Sequence, residues 1–379
     1  MRVTRIECDF LVVPVPIPIR ETLHDYGILF VTVETDNGLT GIGFAREHDY
    51  HALAERHLVL NDIASFVTSL DSVVPGHVWH EASFDLQRSD YRGSSGIASR
   101  ALSAVDQALW DVWGKHLGQP VYRLLGGAQD EIELYTTFGL NIYTQDEEEE
   151  AARQLLARGF SAFKLQGAHA DRGRAVGVDI ARVKRLREVL GDGPRIIIDG
   201  RNNYSLYQAI EVAKGIEPYG VAYFDEPLYA RDALAMRRLK EAVPGLPLAA
   251  RGRGGNIWDN RDLVVTGAVD VLGMQVLDQG GYTQSVKSAH LAETYQIPIV
   301  TGGAWHLQNA HLIAGVTNGW MTEYHAMAAA ICERLFIDPL MPTGGRLVMN
   351  DRPGLGLEMD VDVVDEARER GRVLESALR

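Results

Sequence analysis

Residues 195–227 read RIIIDGRNNYSLYQAIEVAKGIEPYGVAYFDEP. Two short, nearly apolar runs, RIIIDG at 195–200 and AYFDEP at 222–227, each end on acidic residues, and an amphipathic helical stretch separates them. That is one β/α/β unit, because a strand buried on both faces turns polar only where it leaves the core. The same rhythm extends in both directions, through ELYTTFG at 133–139 and AFKLQ at 162–166 on one side. On the other lie PLAAR at 247–251, VLGMQ at 271–275, IPIVTG at 297–302 and WMTEYH at 320–325. Eight such runs predict a closed parallel barrel with helices outside, whose chemistry sits at the C-terminal ends of the strands.

The remainder of the chain has another pattern. Residues 1–45 alternate in the strand manner, with Val31, Val33 and Thr35 on one face and a turn at Asp36-Asn37-Gly38. From His51 the period is helical, and Leu102, Val105, Leu109, Val112 and Trp113 form one stripe of a helix that ends near Gly118, before Pro120. The expected division is an α+β domain at 1–125, the barrel at 126–345 and a segment at 346–379 that packs back on the first domain. The acidic run Asp146–Glu150 opens a helix, where it suits the positive end of the helix dipole.

The 379 residues, 46% hydrophobic and 23% charged, support a large core without staples. A net charge of −14 opposes non-specific binding to nucleic acid or anionic membranes. Cys8 and Cys332 have no metal-type spacing and suit a reducing compartment. With neither a leader pattern nor a long apolar run, a cytoplasmic protein acting on small molecules is expected.

Several stretches resemble one family at matching positions. ALSAVDQALWDVWGKHLGQPVYRLLGG at 101–127 is similar to the end of the capping domain in mandelate racemase-like members of the enolase superfamily, and RPGLGLEMD at 352–360 is similar to their closing segment. GFSAFKLQG, IIIDGRNNYS, FDEPL and IPIVTGG match successive barrel strands in order. The resemblance implies a modified (β/α)7β barrel of the TIM type, an α+β cap, and abstraction of a proton α to a carboxylate. In that scheme a divalent metal on three carboxylates stabilises the enolate.

Residue by residue, the match is partial. Lys164 stands for the first of the family's two strand lysines, the one associated with the substrate carboxylate, whereas the usual base is Gln166, an amide without useful basicity. Asp199 and Asp225 match two metal carboxylates, Arg201 replaces a nearby asparagine, and Gly252 falls where the third carboxylate belongs. Arg251 and Arg253 bring permanent positive charge to the same region. The Asp–His dyad of the racemases is represented by Gln275 and Gly302. His306 is then the expected acid or base, with Lys164 and Arg201 as the other catalytic groups. Glu323 and His325 share one side of the eighth strand. In the cap, Arg20, Glu21, His24, Asp25 and Tyr26 fall where the covering loop contacts substrate, and His24 and Tyr26 are candidate specificity residues.

Two functions follow from the resemblance. One is an enzyme acting on a small hydroxy-carboxylate, a sugar acid or its lactone, through an enolate to dehydration or isomerisation. Mg²⁺ on Asp199 and Asp225, or arginine alone, would stabilise the charge. The other is a non-catalytic binding protein that kept the barrel. Symmetric homo-oligomers are also expected from the resemblance.

Overall fold

The computed structural model describes residues 1–20, 22–46, 51–88, 95–138, 143–167, 176–229, 232–252 and 255–377. Three antiparallel strands, β1 (Val3–Pro16), β2 (Leu23–Thr35) and β3 (Thr40–Arg46), form a sheet in that order. Val31, Val33 and Thr35 are all buried, and Gly38 makes the β2–β3 turn with a φ of 80°. The helix Ile97–Leu117 lies across this sheet with Leu102, Val105, Leu109 and Val112 in the shared core. It stops at Gly118, whose left-handed φ of 64° lets its N–H bond back to the last turn.

Eight parallel strands close into a barrel: β4 (Glu131–Phe138), β5 (Ala162–Gln166), β6 (Arg195–Asp199), β7 (Val221–Asp225), β8 (Leu248–Ala250), β9 (Val271–Met274), β10 (Ile299–Thr301) and β11 (Gly319–His325). β11 pairs with β4 to complete the ring. The fold is therefore a TIM-type barrel with an N-terminal α+β capping domain. The helix after β11, Ala326–Leu335, packs on cap strand β1 as well as on the barrel, so the cap shares the eighth helical position.

One side chain from each strand plugs the barrel: Tyr135, Ala162, Ile197, Tyr223, Ala249, Val271, Val300 and Met321. Strand side chains alternate, so the residue two places further on each strand also faces the axis, one layer nearer the mouth. That layer contains Thr137, Lys164, Asp199, Asp225, Arg251, Gly273, Gly302 and Glu323. The change from apolar plug to charged mouth thus occurs over a single side-chain step.

The closing segment is tied to both parts. Arg346–Val348 pairs antiparallel with the start of β4, and the helix Val361–Ala377, not anticipated from the sequence, lies on β1. Buried Asp111 joins three pieces by accepting hydrogen bonds from Ile42 N (2.9 Å), Lys115 Nζ (2.8 Å) and Leu355 N (2.7 Å). Asp106 fixes the cap helix to the barrel by accepting from the hydroxyl and N–H of Thr283 (2.5 and 3.1 Å). The acidic run begins a helix as expected, with Thr144 and Glu147 forming a reciprocal capping box. Cys8 and Cys332 are buried and unpaired, and burial pushes both thiols upward, away from reactivity. No helix among the described residues is long and apolar enough to cross a membrane.

Candidate active site at the barrel mouth

A cavity of about 270 Å³ opens at the C-terminal ends of the strands. Its polar lining comprises Tyr135, Lys164, Gln166, Asp199, Arg201, Asp225, Glu226, Arg251, Glu323 and His325, and Gly302 and Gly303 leave room on the β10 side.

Lys164 is central and almost entirely buried. Its Nζ lies 3.2 Å from Asp225 Oδ2, 3.5 Å from Asp199 Oδ2, 3.8 Å from Glu323 Oε1 and 3.4 Å from the Tyr135 hydroxyl. The Tyr135 ring centroid is 4.9 Å away. Burial alone would lower the lysine pKa, but Tyr135 and the surrounding carboxylates hold it well above its ordinary value. Burial raises Asp199 and Asp225, and Lys164 opposes the rise.

Arg251 forms the second charged centre. Its Nε donates to Glu226 Oε1 at 2.8 Å, and its Nη1 donates to Gln275 Oε1. Glu226 also accepts from Asn202 Nδ2 at 3.1 Å. A left-handed φ of 44° turns the chain at Glu226 immediately after β7, placing two consecutive acidic residues at one mouth. Glu323 is held by the fold: Ala304 N donates to Oε2 at 2.7 Å and the Thr137 hydroxyl donates to Oε1. Burial would raise its pKa, but Lys164, His325 and these donors hold it down to about 2. Arg201 is exposed at the rim with a φ of 50°, and its backbone N–H donates to Asp199 Oδ1 at 2.8 Å.

The mouth therefore gathers Lys164, Asp199, Asp225, Arg201, Arg251 and Glu323, with His325 beside Glu323 as strand alternation requires. His306 is not among the residues lining it. It begins the helix His306–Gly315 and is fully buried with its ring 5.6 Å from that of Tyr324, whose side chain points out of the barrel between Glu323 and His325. Burial lowers its pKa to about 4, with the Leu340 backbone opposing. The expected catalytic position of His306 is thereby corrected: it lies in the helix–strand layer. His24 and Tyr26 belong to β2 and stack edge to face, 6.3 Å apart, and neither is among the residues lining the cavity. Arg253 and Glu21 lie outside the described residues. Arg20 reaches the barrel, where its guanidinium makes two 2.8 Å bonds to Glu147. Tyr135, Glu226 and the Arg251–Gln275 contact were not singled out from the sequence. The adjacency of Glu226 to Asp225 was the available sign.

Residues 3–126 match the family model described as mandelate racemase/muconate lactonizing enzyme, N-terminal domain, and residues 147–363 match the enolase C-terminal domain-like model. The chain belongs to the enolase superfamily, in the mandelate racemase and muconate lactonizing enzyme branch. It is 27% identical over 353 residues to arabinonate dehydratase of Saccharolobus solfataricus, covering 90% of this chain and 91% of that one. It is 27% identical over 365 residues to 3,6-anhydro-alpha-L-galactonate cycloisomerase of Streptomyces coelicolor, covering 95% and 98%. A racemase structure from Streptomyces coelicolor A3(2) with bound magnesium superposes with a TM-score of 0.86 at 25% identity, covering 96% of this chain and 99% of that one. Distant homologues are thus sugar-acid dehydratases and cycloisomerases.

The side chains of this chain do not fit such a magnesium ion. Asp199 and Asp225 do converge, but on the Lys164 ammonium. Gly252 faces the helix Ile257–Val265, where its N–H donates to Asn260 Oδ1 at 2.8 Å, and its carbonyl accepts at 3.0 Å from Nε2 of Gln279, which follows β9. A Cβ there would stand 2.6 Å from Asp259 Cβ and 2.9 Å from Asn260 N. Among the described residues, no three His, Cys, Asp or Glu side chains form a group that could hold a metal.

Proposed function

We propose that this chain is an enzyme that enolises a small hydroxy-carboxylate, a sugar acid or its lactone, and carries the enolate to dehydration or isomerisation. The observation that carries the reading is a charged cavity of substrate size at the barrel mouth, lined by two cations, the buried Lys164 and the partly buried Arg251, and by a histidine, His325. The activities of the sugar-acid relatives support the substrate class.

The chain's own residues account for each step. Arg201 at the rim and Arg251 within attract the substrate carboxylate, which a guanidinium can grip through two parallel N–H groups. His325 removes the α-proton, because Gln166 is not basic, His306 is enclosed elsewhere, and a neutral imidazole nitrogen carries a lone pair that can accept it. As the α C–H bond breaks, its electron pair moves onto the carboxylate, and the added charge faces Lys164 and Arg251. If the imidazolium then protonates the β-hydroxyl, the C–O bond breaks, water leaves, and the resulting enol tautomerises to a 2-keto-3-deoxy acid. If the β-oxygen instead belongs to an anhydro ring, it takes the proton as its C–O bond breaks, the ring opens with no loss of water, and the keto product is an isomer of the substrate. Tyr135 and Glu323 position Lys164.

The test is turnover of a sugar-acid panel containing arabinonate, galactonate and 3,6-anhydrogalactonate, read as keto-acid formation and by NMR. Loss of turnover in His325→Asn with ligand binding preserved supports the base assignment. A second reading, a small-acid binding protein without turnover, has one observation in its favour: Lys164 and Arg251 already have carboxylate partners. Tight ligand binding with no product across the panel would select it.

A further inference from the structure

We propose that the Lys164 ammonium is the resident cation of this barrel mouth and replaces a divalent ion between Asp199 and Asp225. This inference concerns the contents of the site and stands whether or not the enzymatic reading does.

Three independent features converge on it. First, Nζ lies within 3.8 Å of carboxylate oxygens from β6, β7 and β11, where it donates to Asp225 and its charge offsets the mutual repulsion of all three carboxylates. A divalent ion bound to both aspartates would be in contact with the ammonium, and like charges at that distance in a buried site exclude each other. Second, the fifth strand has no place for a third ligand. Gly252 points at a helix, its N–H is bonded there to Asn260 and its carbonyl to Gln279, and a Cβ would collide with Asp259 and Asn260. Third, the inward position on that strand carries Arg251, which neutralises Glu226, the remaining carboxylate of the mouth. The arrangement is complementary: Arg251 stands next to the position of the missing carboxylate and pairs with Glu226, and Asp199, Asp225 and Glu323 pair with Lys164.

Lysine also suits the task sterically. Its stem rises from β5 along the Tyr135 ring, so the charge is delivered to the mouth from below while the cavity above stays open to ligand. Unlike an ion, it cannot dissociate, so chelation should not deplete it.

The test uses full-length protein treated with EDTA and dialysed, with Mn²⁺ followed by electron paramagnetic resonance and Mg²⁺ by calorimetry, and no substrate present. Wild type should show no saturable binding of either ion. Lys164→Met, which keeps the stem and removes the charge, should show saturable Mn²⁺ binding at least about tenfold tighter than the weakest affinity the titration resolves, the lower end of the change typical when groups around a metal site are altered. Asp199→Asn in the same chain should abolish the gain. Stoichiometric Mn²⁺ on wild type that is lost in Asp199→Asn would overturn the proposal, as would a folded Lys164→Met chain with no gained affinity. If Lys164→Met does not fold, the wild-type titration alone decides. Because no turnover is measured, failure here leaves the proposed reaction standing, and failure of the sugar-acid panel leaves this result standing.

Discussion

Lys164 Nζ and Asp225 Oδ2, on adjacent-but-one barrel strands, stand 3.2 Å apart in a pocket from which both side chains are almost wholly excluded from solvent. Removing one partner of such a pair leaves an uncompensated buried charge, at a typical cost of about 3–5 kcal/mol. Lys164→Ala should therefore lower unfolding stability by an amount in that range in urea titrations. Adding Asp225→Asn to the same chain should recover part of the loss, since the asparagine needs no counter-charge. Strictly additive losses would show that the two groups are not coupled.

Gly252 gives a prediction of the opposite kind. Restoring a family-like carboxylate by Gly252→Glu should not create a metal site, because the added side chain is directed at Asp259 and Asn260. Even Gly252→Ala should destabilise by about 1–3 kcal/mol through overpacking. A thermal melt unchanged from wild type in Gly252→Ala would contradict the packing described here.

The barrel could be read from the sequence because each strand is an apolar run that ends where it leaves the core, so the pattern and the burial have one cause. The charged mouth could be read in part for the same reason, since Lys164, Asp199, Asp225, Arg251 and Glu323 each end such a run. Their pairing could not be read: Arg251 meets Glu226 and Gln275 across three strands, and nothing local in PLAARG specifies either partner. His306 misled because four residues between β10 and the next helix are enough to turn a side chain from the mouth into the outer layer. The helix Val361–Ala377 escaped notice because most of it is solvated and its narrow apolar stripe is satisfied mainly by β1.

His311 links the cap–barrel junction to the closing segment. Its Nδ1 accepts from Tyr122 N at 3.2 Å, which assigns the proton to Nε2, 3.2 Å from the Leu355 carbonyl. Burial lowers its pKa to about 4 from 6.5. Between those values the unfolded chain holds the extra proton, so stability rises with pH across the window and is lost as pH falls from 6.5 toward 4. Complete titration would remove about 3 kcal/mol. His311→Gln should flatten the pH dependence of urea unfolding in this interval; an unchanged slope would show that the loss arises elsewhere.

Arg20 and Glu147 join the cap segment between β1 and β2 to the start of a barrel helix, and the Tyr143 hydroxyl donates to Pro18 O at 2.6 Å beside them. The Arg20 bond is the main cause that holds Glu147 down to about 2. As both groups are partly solvated, the pair should matter for closure more than for folding. Arg20→Ala should raise KM for the sugar-acid substrate with little change in Tm, and high salt should reproduce part of that effect in wild type. A lowered Tm with KM unchanged would assign the pair a purely structural role.

The most direct test of the proposed chemistry is proton NMR in D₂O of each sugar acid incubated with the wild-type protein. The account predicts loss of the α-proton signal of at least one substrate, with deuterium in the product or in recovered substrate, and no loss in His325→Asn. Saturable binding of the sugar acids with every α-proton signal intact would contradict it.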